Sequence, residues 1–343
     1  MNTEFLKIDP ENFDDGSLYK ASEIIRNGGL VAFPTETVYG LGASGVDDVA
    51  VKNIYVAKGR PSLNPLILHF ASPEDCEMFA ECDKRFFALA EAFMPGPLTV
   101  VLPSKNKCAP SVTAGLATVA VRVPIHPVAR RLIELAKVPV AAPSANLSGK
   151  PSPTNADHVV RDLNGRVGMI IDGGPCSVGL ESTIVKLSNN GAVLLRPGGI
   201  TLEMLREIVP NVSVAPEVLL PPAPGSRPES PGMLLKHYAP DAPLYLIRSE
   251  SSHKVNVFLS DAAKNRDNAV VCFAGTVEPS DNVYVIGDQG DYEAYAKRLF
   301  DVLRIADRAD VKRIYAPMPS EKGIGLALQN RLLRAAAFRI KDI

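Results

Sequence analysis

Tryptophan is absent from the chain and aromatic residues make up only 6% of it, so it offers no ready platform for stacking the bases of a single-stranded nucleic acid. Neither sign of charge is in excess: 37 Lys and Arg stand against 38 Asp and Glu, a net charge of −1. A protein that mainly grips a nucleic acid backbone carries a basic surplus, so the balance favours a small-molecule enzyme with at most a local basic pocket. No apolar run approaches the roughly 18 residues of a membrane span. The opening MNTEFLKIDPENFDD has neither the basic nor the apolar segment of a secretory signal. Cys76, Cys82, Cys108, Cys176 and Cys272 form no CxxC pair and read as scattered thiols of a reducing compartment, with the cytoplasm as the expected location. His69, His126, His158, His237 and His253 show no HxH or HExxH spacing, which speaks against a zinc held by the protein. GxxxxGK[ST], GxGxxG and GxSxG are all missing, excluding a Walker A loop, a dinucleotide fingerprint and a nucleophile elbow.

What is present is a 343-residue chain, too long for one comfortable hydrophobic core, so two domains are expected. Apolar runs at 30–33, 65–69, 98–102, 118–123, 138–142, 168–171, 182–187 and 192–196 read as strands. Helical spacing appears over 18–27, from Asp47-Asp48 to about Ala57, and over 127–136, 155–162 and 201–208, with a further helix start at Ser72-Pro73-Glu74-Asp75. Strands and helices mixed in this way predict an α/β domain over 1–209 built on an open, twisted mixed sheet. Nine prolines fall between Pro210 and Pro243, a density that removes backbone donors and predicts an extended connector over 210–243. Residues 244–343 return to α/β texture, enough for a small doubly wound domain.

Three segments following apolar or helical runs could carry chemistry. Phe33-Pro34-Thr35-Glu36-Thr37-Val38-Tyr39-Gly40-Leu41-Gly42 sets hydroxyls, a carboxylate and two glycines at a strand's end, where open α/β sheets place ligands; an ordinary polar turn would look the same. Lys58-Gly59-Arg60-Pro61-Ser62 holds two cations between Gly and Pro, a fixed pair for phosphate oxygens or simply a helix C-terminus complemented by charge. Ala142-Pro143-Ser144-Ala145-Asn146 offers hard oxygen donors suited to a nucleotide's Mg²⁺, or forms an Asx/Ser turn. Thr118 and Arg122 share one strand face, while Glu181-Ser182-Thr183, Arg196-Pro197-Gly198-Gly199 and Lys236-His237-Tyr238 add cations and hydroxyls at element ends. Several such cations in a chain of neutral net charge suggest a focused anion pocket.

In order and spacing, FPTETVYGLG, AKGRPSLNPLILH, TVAVRVP, PVAAPSANLSGKPSPT, GLESTIV and LLRPGG resemble the YrdC-like domain family. PGMLLKHYAP followed by a hundred-residue α/β tail resembles the family's longer, two-domain members, the threonylcarbamoyl-AMP synthases. The resemblance implies a concave basic cavity in the first domain, a Rossmann-like second domain, and a linker that folds over the cavity as a lid. It also implies condensation of L-threonine, bicarbonate and ATP with Mg²⁺, giving an adenylate that a tRNA threonylcarbamoyl transferase complex places beside the anticodon, with at most weak tRNA contact. Carried over residue by residue, Lys58, Arg60, Ser144 and Asn146 become the catalytic group. Ser62, Thr118, Ser152, Arg196 and Tyr238 join Lys58 and Ser144 around ATP, and Thr35, His69, Arg122, Ala142 and Ser182 face threonine. Two other readings stand beside it. One is a double-stranded RNA or tRNA binder using the same cavity, and the other is carbamoyl transfer of the kind found in chains with zinc-finger modules, whose CxxC pairs are missing here.

Overall fold

The computed structural model describes residues 2–62, 64–188, 191–221, 237–308 and 311–343. The first sheet is built from β1 (Glu4–Lys7), β2 (Val31–Phe33), β3 (Gly40–Ser44), β4 (Ile67–His69), β5 (Leu98–Pro103) and β6 (Thr118–Arg122). It is completed by β7 (Val140–Ala141), β8 (Met169–Asp172), β9 (Thr183–Ser188), β10 (Gly191–Arg196) and β11 (Val212–Val214). Their order is β1-β8-β2-β3-β7-β4-β6-β5-β9-β10-β11. Pairing is mixed: β4–β6 and β5–β9 run parallel, whereas β2–β3, β4–β7 and β5–β6 run antiparallel.

Helices α1 (Gly16–Arg26) and α5 (Pro127–Ala136) cover one face. Val128, Ala129, Leu132, Ile133 and Ala136 fall on a single helical stripe and pack with Leu18, Ala21 and Ile25 against Val31, Phe33 and Val140. The opposite face is covered by α2 (Asp48–Lys58), α3 (Lys84–Phe93), the single turn α4 (Pro110–Thr113), α6 (Ala156–Leu163) and α7 (Leu202–Ile208). The Asp47 side chain caps α2, accepting from the Val49 and Ala50 N–H groups at 2.9 and 3.2 Å. At the other end Gly59 takes φ 59°, the left-handed conformation that closes a helix and turns Arg60 away from its axis. Lys58 and Arg60 therefore leave the same helix end in different directions.

The proline-rich stretch begins with structure: Val212–Val214 adds to the sheet edge as β11, parallel to β10, and Pro216–Val218 forms a 3₁₀ turn. Three residues of alternating apolar character suffice for an edge strand, where the missing donor of a following proline costs nothing. Lys236 lies outside the described residues.

The second sheet comprises β12 (Leu244–Arg248), β13 (Asn268–Cys272), β14 (Val283–Val285), β15 (Arg313–Pro317) and β16 (Ile340–Asp342). It is parallel throughout, in the order β14-β13-β15-β12-β16. Counted within the domain this is 3-2-4-1-5. The layering is that of a doubly wound fold, but the order differs from the 3-2-1-4-5 of dinucleotide-binding folds. α8 (Ser252–Ala263) covers one face through Val255 and Leu259. α9 (Tyr292–Arg308) and α10 (Ile324–Ala335) cover the other, and it is these two helices that meet the first domain.

Their junction is polar and buried. Arg304 on α9 grips the Asp162 carboxylate at 2.7 and 3.1 Å and donates to the Pro151 carbonyl at 2.5 Å. Arg331 on α10 donates from Nε to Glu181 at 2.7 Å, and Asn330 donates to the Val218 carbonyl at 2.7 Å. These buried pairs tie the two domains together.

Candidate active site

The cavity of the first domain opens where β2, β4, β6 and β9 approach the loop after β7. Nine residues singled out from the sequence line it: Thr35, Arg60, His69, Arg122, Ala142, Ser144, Ser182, Arg196 and Tyr238.

One end is organised around Arg122. Its Nη2 donates to Glu36 at 2.7 Å and to the Thr37 hydroxyl at 2.9 Å, both groups being buried. Thr35 donates to the Val38 carbonyl at 2.6 Å and accepts from the N–H groups of Thr37 and Val38, so its hydroxyl builds the turn that delivers Glu36 and Thr37. Arg122 Nε is buried without a partner among the described residues. His69 pairs with Arg122 across β4 and β6. Burial and the Arg122 charge push its pKa down to about 3, so it meets a ligand as a neutral, polar ring.

The other end is cationic. Lys58, nearly inaccessible, donates to the carbonyls of Ser144 (2.5 Å) and Asn146 (2.6 Å) and lies 3.5 Å from Asn146 Oδ1. Burial and then the Arg60 charge push its pKa well down, while three oxygen acceptors are the complement of an ammonium. Ser144 donates to Asn146 Oδ1 at 2.5 Å, and the Asn146 amide ties the loop down through the carbonyls of Leu147 and Lys150. Lys58 and Asn146 thus sit directly behind the wall and fix Ser144 within it. Arg60 donates only a long bond to the Pro65 carbonyl, 3.4 Å, and its buried Nε has no partner among the described residues. An unpartnered guanidinium edge in a cavity is a site for an anion.

Between the two ends, Arg196 donates to the Ser182 carbonyl and hydroxyl, each at 3.0 Å, and Ser182 pairs with Thr99 at 2.7 Å. Desolvation lowers the Arg196 pKa to about 10, still charged at neutral pH. His237 and Tyr238 close the roof, Tyr238 at φ 62° with its ring 5.4 Å from that of Phe300. The Tyr238 hydroxyl is buried and unpartnered among the described residues.

Besides Lys58, three residues predicted around the nucleotide are not among those that line the cavity. Ser152 is buried behind Glu181, to which its hydroxyl donates. Ser62 is exposed on the loop beyond the Gly59 turn. Thr118 stands at the opposite end of β6 from Arg122, about 13 Å away at the rise of a strand, so a shared face does not mean a shared pocket. No group of three or more His, Cys, Asp or Glu able to hold a metal occurs among the described residues. Glu36 stood in the first segment as its carboxylate without an assigned role, and the arginines of α9 and α10 were not singled out from the sequence. The pattern ArgLeuLeuArg at 331–334 reads as any amphipathic helix, and only burial marks it.

A family model described as telomere recombination, covering Sua5, YciO and YrdC, matches residues 23–198. A second, described as the threonylcarbamoyl-AMP synthase C-terminal domain, matches residues 200–337. Threonylcarbamoyl-AMP synthase of Pyrococcus abyssi is 43% identical over 334 residues, covering 96% of this chain and 97% of its own. That of Bacillus subtilis is 42% identical, covering 95% of each. Among solved structures, P. abyssi Sua5 complexed with L-threonine superposes with a TM-score of 0.92 at 42% identity, over 99% of this chain and 100% of its own. E. coli YciO matches over 57% of this chain and 96% of its own, at TM-score 0.52 and 25% identity. Motif order, fold and full-length similarity agree, and the chain belongs to the Sua5/YciO/YrdC family in its two-domain form.

Proposed function

We propose that this chain is a threonylcarbamoyl-AMP synthase in which the Arg122 end of the cavity takes L-threonine and the Arg60–Ser144 end takes MgATP. The observation that carries the reading is one cavity lined by the guanidinium groups of both Arg122 and Arg60, each with a buried Nε that has no partner among the described residues. Each guanidinium suits an anion, the amino acid's carboxylate at Arg122 and phosphate at Arg60.

In the reaction, the threonine amine joins bicarbonate with loss of water, forming a carbamate. A carbamate oxygen attacks the α-phosphorus, the bond to the β-phosphate oxygen breaks, and pyrophosphate leaves with Mg²⁺. No side chain need act as nucleophile. Lys58 braces the Ser144–Asn146 loop, Arg60 and Arg196 offset the charge that grows on the leaving phosphate, and Arg122 orients threonine. Preorganised charge of this kind, with positioning, is the main source of rate in phosphoryl chemistry. The product would then pass to a partner that transfers the threonylcarbamoyl group to tRNA adenosine.

The test is pyrophosphate release by the full chain with MgATP and bicarbonate, comparing threonine, serine and no amino acid. Threonine-dependent release is expected, with serine slower by about 10–200-fold because one methyl group in a pocket is worth that much. Equal release without any amino acid would sink the assignment.

Tyr238 supports a lid at the end of the linker, since an enclosed site protects an adenylate from water. Tyr238→Ala is expected to weaken ATP binding and to lower the yield of intact adenylate per ATP severalfold. Both quantities staying at their wild-type values would remove the lid from the scheme.

A further inference from the structure

Among the described residues lining the cavity, Glu181 is the sole carboxylate. It faces a space otherwise bordered by Arg60, Arg122 and Arg196, and its side chain is 7% exposed. A desolvated negative charge there would repel a triphosphate strongly, because little water remains to screen it. The cation hydrogen-bonded to it comes from the other domain, 150 residues along the chain.

Arg331 is completely buried. It donates from Nε to Glu181 Oε2 at 2.7 Å and from Nη2 to the Glu181 carbonyl at 3.2 Å, so it fixes both the side chain and the backbone of that residue. Its Nη1 donates to Asn330 Oδ1 at 2.7 Å, and Asn330 is anchored in turn on the Val218 carbonyl. The second Glu181 oxygen accepts from Ser152. The guanidinium carbon also lies 5.6 Å from the centre of the Tyr238 ring, within cation–π range. One side chain of α10 therefore meets the carboxylate in the cavity wall and the aromatic roof at once.

We infer that Arg331 is a positioning residue for the nucleotide: without touching substrate, it cancels and orients Glu181 so that the cavity accepts MgATP. The inference rests on the nucleotide reading above and assigns a definite task to the C-terminal domain. Charge cancellation separates it from general support of the fold, because the defect left by losing Arg331 is curable by removing the charge it opposed.

The experiment measures MgATP and threonine dissociation constants by calorimetry on the full chain, for wild type, Arg331→Met, Glu181→Gln and the double variant. Arg331→Met is expected to raise the MgATP constant by about tenfold or more while leaving threonine within about twofold. Adding Glu181→Gln to Arg331→Met is expected to bring MgATP binding back to within about threefold of wild type, since the glutamine still accepts from Ser152 and carries no charge. Unaltered MgATP binding by Arg331→Met overturns the inference, as does weakened binding that the second substitution leaves weak. Should Arg331→Met not fold, the double variant decides alone, because it buries no unpaired charge. Near-wild-type MgATP binding by a folded double variant then supports the inference, and loss of binding overturns it. Wild-type protein that binds threonine but no MgATP would overturn the nucleotide reading and this inference together.

Discussion

Lys58→Ala is expected to lower threonine-dependent pyrophosphate release by about 10²–10³-fold, the scale of losing one preorganised donor from a site of developing charge. Two effects combine. The cavity loses a buried cation, and the carbonyls of Ser144 and Asn146 lose the donor that holds their loop. Each carbonyl left without a partner costs about 1–3 kcal/mol, which the loop can recover only by moving. Lys58→Arg should not restore the rate, because a planar fork cannot reproduce three bonds radiating from one nitrogen. Steady-state pyrophosphate release with ATP and threonine saturating reads the effect; a variant within about threefold of wild type would show that Lys58 is structural filling.

The second large effect is on stability. Arg122→Leu leaves Glu36, 5% exposed at its side chain, without its buried cation. Breaking a buried pair from one side costs about 3–5 kcal/mol, so the urea midpoint of unfolding should fall markedly and threonine binding should vanish. Adding Glu36→Gln separates the two roles. Removing the orphaned charge should return most of the stability, while threonine affinity stays lost because the guanidinium that receives its carboxylate is still missing. A midpoint unchanged in Arg122→Leu would mean that solvent reaches Glu36 in solution.

How much of this could be read from the residues differs from element to element. The runs at 98–102 and 182–187 became β5 and β9 because continuous apolar stretches bounded by turns have few other uses in an α/β domain. Asp47 became the cap of α2 because its side chain has a specific partner in the turn that follows. β3 was hidden, because Gly-Leu-Gly-Ala-Ser has almost no strand propensity; its glycines are there for room. A Cβ on Gly42 would lie 2.7 Å from the Phe33 ring and 2.8 Å from Val140. β11 was hidden by the prolines that follow it.

At the site, the residues that touch the cavity come from short motifs whose spacing survives in the linear sequence, which is why the family resemblance found most of them. Ser62 and Thr118 came with those motifs, and neither is among the residues that line the cavity. Glu36 stood inside a motif, but nothing linear shows that it pairs with a strand 86 residues later. Arg304 and Arg331 were illegible for the same reason in stronger form, since their partners lie 142 and 150 residues upstream.

That separation has a consequence for the newly made chain. Ribosomes add about 5–20 residues per second, so roughly 8–30 s pass between the emergence of Glu181 and of Arg331. Late in that interval the strands of the first sheet have all been made, but not Arg331, the counter-charge inferred to let a nucleotide settle. On the role inferred for Arg331, ATP use is expected to begin only after the last helix has docked, so an unfinished chain would not release a labile adenylate.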